Sequence, residues 1–280
     1  MTSIEADSLS KRYGNVHAVD DLSLAVQSGE VVGLLGANGA GKTTTMKMLL
    51  GLLTPSSGIA LIAGQPVRSV DRRSMGYVPQ GLGLYRDLTV SENVAFAAAS
   101  FGVVFPDLER AGLADVADQR IGRLSLGTQR RVAFLVARAH DPSVLILDEP
   151  TSGVGPLGRA HLWETIRETA ASGAAVLVST HHMDEAEECD RVVLVARGRG
   201  VASGSVKEVI AGAVSVSVSG DATDESLKAV AATGATVLAD GPGWRVVGAD
   251  RDVVAGLVGP SVRVSEVPAT FEEAFVALSS

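Results

Sequence analysis

Hydrophobic and polar positions along this chain fall into alternating blocks of two kinds. Residues 30–35 (Glu-Val-Val-Gly-Leu-Leu), 143–148 (Ser-Val-Leu-Ile-Leu-Asp) and 174–180 (Ala-Ala-Val-Leu-Val-Ser-Thr) are short and almost continuously apolar, as expected of strands buried on both faces. Residues 42–53 and 157–171 carry the longer mixed pattern of helices. Over roughly the first 210 residues this alternation predicts a sheet covered by helices. Residues 22–26 (Leu-Ser-Leu-Ala-Val) and 58–63 (Gly-Ile-Ala-Leu-Ile-Ala) read as antiparallel additions, bounded by Ser-Gly and Gly-Gln-Pro turns.

After residue 212 the texture changes. Residues 214–219 alternate with period two, the pattern of a half-buried strand. A helix (224–232), strands near 236–239 and 244–247, a helix (250–257) and a strand (262–267) complete a β-α-β-β-α-β order. Residues 271–278 predict a final amphipathic helix. The chain therefore divides into residues 1–212 and a small α+β appendage, residues 213–280, that holds no His, no Cys and no convergent charged cluster. A length of 280 residues agrees with two units on a prior of roughly 150 residues per domain.

The chemistry is concentrated in the first unit. Gly36-Ala37-Asn38-Gly39-Ala40-Gly41-Lys42-Thr43, followed by Thr44, fits the G-x-x-x-x-G-K-[ST] phosphate loop. Its glycines allow backbone amides to turn inward around a polyphosphate, and the helix that follows aims its amino end at the same anion. Lys42 neutralises β- and γ-phosphate charge, and the Thr43 hydroxyl can ligate Mg²⁺. A second element, Asp148-Glu149, ends a buried strand. Asp148 can hold the Mg²⁺, and Glu149 can polarise an attacking water as general base. ATP and Mg²⁺ are the expected ligands.

Composition narrows the partners. Apolar residues make up 46% of the chain, enough for a sizeable core. Acids outnumber bases 32 to 24, which argues against a nucleic-acid surface, since that needs clustered Lys and Arg. A single cysteine, Cys189, excludes an internal disulfide or a multi-cysteine metal site and reads as a packing residue. The opening MTSIEADSLSKRYG lacks the apolar core of a secretory leader. No apolar run reaches the ~18–20 residues of a membrane-spanning helix. The expected location is cytoplasmic.

These residues, with others in order along the chain, resemble the ATP-binding cassette (ABC) ATPases, the motor subunits of ABC transporters. Leu9-Ser-Lys-Arg-Tyr13-Gly, Tyr77-Val-Pro-Gln80, Leu124-Ser125-Leu126-Gly127-Thr128-Gln129-Arg130-Arg131, Ser179-Thr180-His181, Met183-Asp-Glu-Ala-Glu and Cys189-Asp-Arg-Val carry the likeness across about residues 3–210. The resemblance implies a P-loop NTPase cassette: α/β, with a mixed sheet core, an antiparallel β subdomain and a short helical subdomain. It implies that Tyr13 stacks on adenine, that Gln80 contacts Mg²⁺ and water, and that His181 reaches the γ-phosphate. It also implies that Ser125, Gly127 and Thr128 act on ATP held by a second ABC subunit, in a homo- or heterodimer that ATP closes. A separate integral membrane permease would be the other partner, placing the chain on the inner face of the cell membrane. The ending Pro268-Ala-Thr-Phe-Glu-Glu-Ala-Phe-Val-Ala-Leu resembles that of drug-exporter ATPases, pointing toward export.

The chain departs from the family pattern in three places. Leu126 and Thr128 replace residues of the common Leu-Ser-Gly-Gly-Gln signature, and Gly155 stands where a carboxylate usually couples the two active sites. Only 45 positions separate Gln80 from Ser125, a short helical subdomain. Gly155 and Thr128 motivate an alternative, a cassette that binds ATP and dimerises as a switch with little hydrolysis; intact Glu149 and His181 oppose it. A soluble cassette acting on ribosomes or DNA, and a small-molecule kinase, fit the motifs less well. Residues 94–105 are apolar with few charges, giving either a buried helix and loop or a groove for a permease helix. Glu185, Glu187 and Glu188 read as a solvated face. Residues 129–139 read as a helix turning Val132, Leu135 and Val136 to the core.

Overall fold

The computed structural model describes residues 2–279. Two long strands, β1 (Thr2–Tyr13) and β2 (Val16–Gln27), open the chain and are followed by β3 (Val31–Leu35), α1 (Lys42–Leu49), β4 (Ser57–Ile62), β5 (Gln65–Pro66) and β6 (Met75–Val78). Next come α2 (Val90–Phe101), α3 (Leu126–Arg138), β7 (Val144–Asp148), α4 (Pro156–Ala171), β8 (Ala175–Thr180), β9 (Arg191–Ala196), β10 (Arg199–Gly204) and α5 (Val206–Ala211). The remainder is β11 (Ser215–Ser219), α6 (Asp224–Ala231), β12 (Thr236–Asp240), β13 (Gly243–Val247), α7 (Arg251–Val258), β14 (Arg263–Val267) and α8 (Phe271–Ser279).

The strands form three sheets, ordered β2-β1-β4-β5, β10-β9-β3-β8-β7-β6 and β12-β13-β11-β14. In the central sheet β3, β6, β7, β8 and β9 run parallel and β10 pairs antiparallel to β9, so the expected mixed core is present. The first sheet is antiparallel throughout.

Period-two alternation assigns each central strand to two cores at once. Val32, Leu34, Val144, Ile146, Ala175 and Leu177 face the first sheet and Met46, Met48 and Leu49 of α1. Val31, Leu145, Leu147, Val176 and Val178 face Phe134 of α3 and Leu162, Trp163 and Ile166 of α4. The helix expected over 42–53 ends earlier, because Leu50 caps it and Gly51 takes a left-handed φ of 64°. Strand β1 is not marked by alternation, since its pairing with β2 shifts register repeatedly.

The short helical subdomain is organised by α2, whose Thr89–Glu92 capping box fixes its start and Gly102 its end. Val90, Val94, Leu113, Ile121 and Val132 form its core. Helix α3 thus serves two cores: Val132, Leu135 and Val136 turn to this subdomain, while Ala133, Phe134 and Ala137 turn to the central sheet. Among the described residues no helix is long and apolar enough to cross a membrane.

The last sheet follows the expected β-α-β-β-α-β order, with Val216, Val218, Val230, Val246, Val254 and Val258 between strands and helices. Helix α8 leaves that core and packs Phe271 and Ala274 against Leu35, Val192 and Leu194 of the central sheet. Its start is pinned to β13 by Arg245, which donates to Glu273 Oε1 at 2.7 Å and Oε2 at 3.2 Å, while the Thr270 amide donates at 2.9 Å.

Burial opposes ionisation of Glu273, but the Arg245 and Thr270 hydrogen bonds prevail and hold its carboxyl below the ordinary 4.5. Its contribution is therefore complete above that value and lost as pH falls through the lowered one. Glu273→Gln should cost about 1–2 kcal/mol at neutral pH, with faster amide exchange in α8. The gap between mutant and wild-type thermal midpoints should close as pH drops below about 4.5.

Candidate functional site

Strand β8 lies between β3 and β7, so the carboxyl ends of three parallel strands meet at one edge of the sheet, where α/β proteins bind ligands. The turn after β3 is the Gly36–Thr44 loop. The Gly36 amide donates to the Thr180 carbonyl at 3.4 Å, anchoring the loop to the end of β8. A Cβ on Gly36 would lie 2.3 Å from the Val195 carbonyl oxygen, and Gly41 adopts φ 108°, so both positions demand glycine. Asn38, Gly39, Ala40, Gly41, Lys42, Thr43 and Thr44, with Ala18, Gln80 and Glu149, line a cavity of about 270 Å³.

Lys42 is buried at the start of α1. Its ammonium donates to the Gly36 carbonyl at 2.6 Å and the Ala37 carbonyl at 3.2 Å, and lies 3.8 Å from Glu149. Burial lowers the pKa of this amine, against the pull of Glu149 and Asp148. At the start of α1 and beside the loop amides, this amine is placed to meet an incoming polyanion.

Asp148 and Glu149 end β7. Asp148 Oδ1 accepts from Thr43 Oγ1 at 3.2 Å and from Ser179 Oγ at 2.7 Å, while its buried Oδ2 has no partner. A hydroxyl beside an orphaned carboxylate oxygen is a hard-oxygen donor set of the kind Mg²⁺ takes. Thr43, Asp148 and Gln80 would hold that ion. Among the described residues no cluster of His, Cys, Asp or Glu could hold a metal alone, so phosphate and water oxygens would complete its shell.

Glu149 is the point of convergence. Gln80 Nε2 donates to its Oε2 at 3.2 Å, and His181 Nδ1 lies 3.2 Å from its Oε1. Its backbone takes a left-handed φ of 49°, held by amide bonds to Ser179 Oγ at 3.0 Å and the Ser179 carbonyl at 3.2 Å. Such a non-glycine conformation costs on the order of 1–3 kcal/mol and clusters at active sites. Ser179, which no sequence motif singled out for a role of its own, thus holds Asp148 by its carboxylate and Glu149 by its backbone amide. Its only sequence signal is a hydroxyl residue at the end of an otherwise apolar strand.

The structure brings Lys42, Thr43, Gln80, Asp148, Glu149 and His181 together and leaves other expected residues apart. Tyr13 ends β1, is 52% exposed, and carries the Lys11 ammonium 5.4 Å from its ring centroid. Ser125, Gly127 and Thr128 open α3 outside the cavity lining. Ser125 Oγ accepts from the Thr128 amide at 3.2 Å and sits 2.9 Å from the Thr128 hydroxyl. Gly155 caps α4 without a side-chain bond, and open space surrounds it.

One expectation near His181 is corrected. Residues 183–188 form a 3-10 turn that returns the chain to β9, just before which Asp190 accepts from the Val31 amide at 2.8 Å. Cys189 follows that turn, with its thiol pushed up to about 12 by burial, then by Glu185 and Asp190, which makes it an inert packing residue. The glutamates do not form one solvated face: Glu187 is exposed, Glu188 pairs with Arg167, and Glu185 is buried with both carboxylate oxygens unpartnered.

Comparison with known proteins agrees with this geometry. A family model described as ABC transporter matches residues 19–152. The probable multidrug ABC transporter ATP-binding protein YbhF of Escherichia coli (strain K12) is 43% identical over 215 residues, 73% of this chain and 37% of that protein. This chain therefore spans well under half the length of that relative. The Nod factor export ATP-binding protein I of Burkholderia orbicola is 43% identical over 219 residues, 74% of this chain and 72% of that one. Among solved structures, an ATP binding subunit of an ABC transporter superposes with TM-score 0.68 at 31% identity, covering 75% of this chain and 92% of the other. CbiO1 from Clostridium perfringens, part of the ABC transporter complex cbiONQ, superposes with TM-score 0.66 at 30% identity over 75% and 91%.

Removing the hydroxyl that orients Asp148 should loosen the site without opening it. Ser179→Ala should raise the Mg²⁺ concentration needed for tight nucleotide binding by about tenfold or more. Affinity measured in EDTA should stay within about twofold, because Lys42 and the loop amides are untouched. A Mg²⁺ titration with a fluorescent ATP analogue reads both.

Proposed function

This chain belongs to the family of ABC transporter ATP-binding proteins, and from that membership we propose that it is an ATP-hydrolysing motor that works as a dimer on a separate membrane permease. Names of relatives that refer to export and multidrug transport favour the export direction. The observation that carries the reading is the convergence of Lys42, Gln80 and His181 on the Glu149 carboxylate beside the phosphate loop.

In this reading the loop amides and Lys42 hold the triphosphate, and Tyr13 stacks against adenine from the end of β1. Held by Thr43, Asp148 and Gln80, Mg²⁺ would supply positive charge to offset that on the transferred phosphoryl group. Glu149 accepts the proton of the attacking water, with the carboxylate aimed by the Gln80 amide at one oxygen and His181 at the other. A carboxylate can only accept, so His181 Nδ1 is the donor toward Glu149, and a contact from Nε2 to a γ-phosphate oxygen would require hydrogen on both ring nitrogens. Phosphate charge would favour the charged form of Lys42 against the burial that lowers its pKa.

Ser125, Gly127 and Thr128 lie at the amino end of α3, apart from the chain's own cavity, as a site completed by a second subunit requires. A nucleotide gripped by one phosphate loop and the opposite α3 terminus joins the two chains, and loss of the γ-phosphate releases them. Glu149→Gln keeps the shape of the site but removes the proton acceptor. It should lower hydrolysis by at least about 10²-fold and trap an ATP-bound dimer detectable by light scattering. Wild-type turnover in that variant would refute the assignment of the base.

The permease surface is proposed on the helical subdomain. Phe96 and Tyr85 meet edge to face at 5.2 Å with both rings exposed, and Val104 is 88% exposed. Phe101, by contrast, is half-buried and stacked on His140 at 3.8 Å. Phe96→Asp and Val104→Asp should each reduce co-purification of the permease and leave ATP affinity unchanged. Full recovery of the complex with both variants would exclude this face. Through that contact the chain would sit peripherally at the inner membrane face.

A further inference from the structure

Helix α3 presents Ala133, Phe134 and Ala137 to the central sheet, and the same face, extended one turn toward the amino end, places Arg130 next in line. An apolar residue would suit that position. Arg130 is instead a guanidinium only 5% exposed, with Nε and Nη1 lacking any hydrogen-bond partner. Its Nη2 donates to the Ser152 carbonyl at 3.4 Å. Burial depresses its pKa, opposed by the charges of Glu149 and Asp148, which places it within electrostatic reach of the strand-end carboxylates. A buried, half-satisfied cation is costly to keep.

Ser152 lies in the loop that joins Glu149 to α4. The Ser152 amide donates to the Glu149 carbonyl at 3.3 Å, and the Val154 amide to Thr151 at 3.0 Å. Across from it, the first turn of α3 rests on the same loop. A Cβ on Gly153 would meet Leu126 Cδ2 at 2.6 Å, and one on Gly127 would meet Val154 Cγ1 at 3.5 Å. The amino end of α3 is therefore in contact with the loop that follows Glu149 and bonds back to its carbonyl. Gly155, in this loop, offers no carboxylate to carry a signal.

We propose that Arg130 is a positioning residue that couples the amino end of α3 to Glu149 of the same chain, through the Ser152 carbonyl and residues 149–155. When α3 engages a nucleotide held by a second subunit, its small displacement carries the guanidinium, and the unpaired Nε and Nη1 donors gain acceptors in the loop. The loop then fixes Glu149 for water activation. Arg130 touches neither substrate nor metal. The inference rests on the proposed two-subunit hydrolysis for its purpose, but the mechanical link itself is testable without turnover.

The test uses the full chain with Arg130→Met, which keeps an unbranched stem without the charged head, and Arg130→Lys. Three readouts are kcat and KM for ATP, thermal midpoint, and amide exchange over residues 149–155 with and without Mg-ATP. Arg130→Met should lower kcat by about 10- to 100-fold with KM within about twofold. Its thermal midpoint should not fall, since an apolar side chain replaces a buried, poorly paired charge. Mg-ATP should protect residues 149–155 in the wild type and not in Arg130→Met, and Arg130→Lys should restore part of both kcat and protection. Unchanged kcat in Arg130→Met overturns the proposal, as does a kcat loss matched by a lower midpoint and uniformly faster exchange. If Arg130→Met does not fold, full kcat loss with unaltered nucleotide protection in Arg130→Lys overturns it equally. If the wild type shows no hydrolysis, the proposed function fails, while protection of 149–155 still decides the link.

Discussion

Parallel pairing of β8 with both β3 and β7 is the constraint from which the site follows. Neighbouring strands lie about 4.8 Å apart, so three chain ends with different chemistry are forced within a few side-chain lengths of one another. One end is a glycine-rich turn, one a hydroxyl residue, one a carboxylate pair. None of the three segments could assemble this arrangement alone. The burial of Val32, Leu34, Ile146, Leu147, Leu177 and Val178 on the two faces fixes the register, since a slip by one residue would exchange the two cores and separate Ser179 from Asp148.

The sequence exposes those features whose physics is local. A continuously apolar run followed by glycines and a lysine reports a buried strand, a phosphate-sized turn and a helix together, and Asp148-Glu149 at a strand end is equally plain. The appendage was legible to within a residue or two at most boundaries, because its strands alternate and its helices are amphipathic. Strand β1 was not, since Ser8 takes φ 51° and the bulges around it break the alternation. Glu185 was misread for a related reason: in a run of acids nothing local marks the one that a 3-10 turn directs inward. Ser179 and Arg130 stand in the sequence only as members of longer motifs, because their importance comes from which strand or loop lies beside them, and no pattern along a single segment encodes that.

Two departures from the common signature take on a structural meaning together. Leu126 does not disturb the start of α3; it is seated over Gly153, which has no side chain to obstruct it. The signature turn and the loop after Glu149 thereby form one packed unit inside a single subunit. Thr128 keeps a hydroxyl next to Ser125 and reinforces the cap of α3. Contacts of this kind tie the response of the loop to the position of the helix, where an open glycine-glycine turn would leave them independent.

Helix α8 deserves a different kind of reading from the rest of the appendage. Phe271 and Ala274 close over Leu35, the last residue before the phosphate loop, while Glu273 is moored to Arg245 in the terminal sheet. The helix is thus a rivet with one head in each layer. A chain shortened at residue 212 would keep the phosphate loop, the strand-end carboxylates and the signature turn yet leave bare the greasy underside of the strand that carries the loop, and such a fragment would be prone to clump. The distal sheet need hold no ligand to matter: by supplying the moored end of that rivet, it stiffens the floor on which the nucleotide sits.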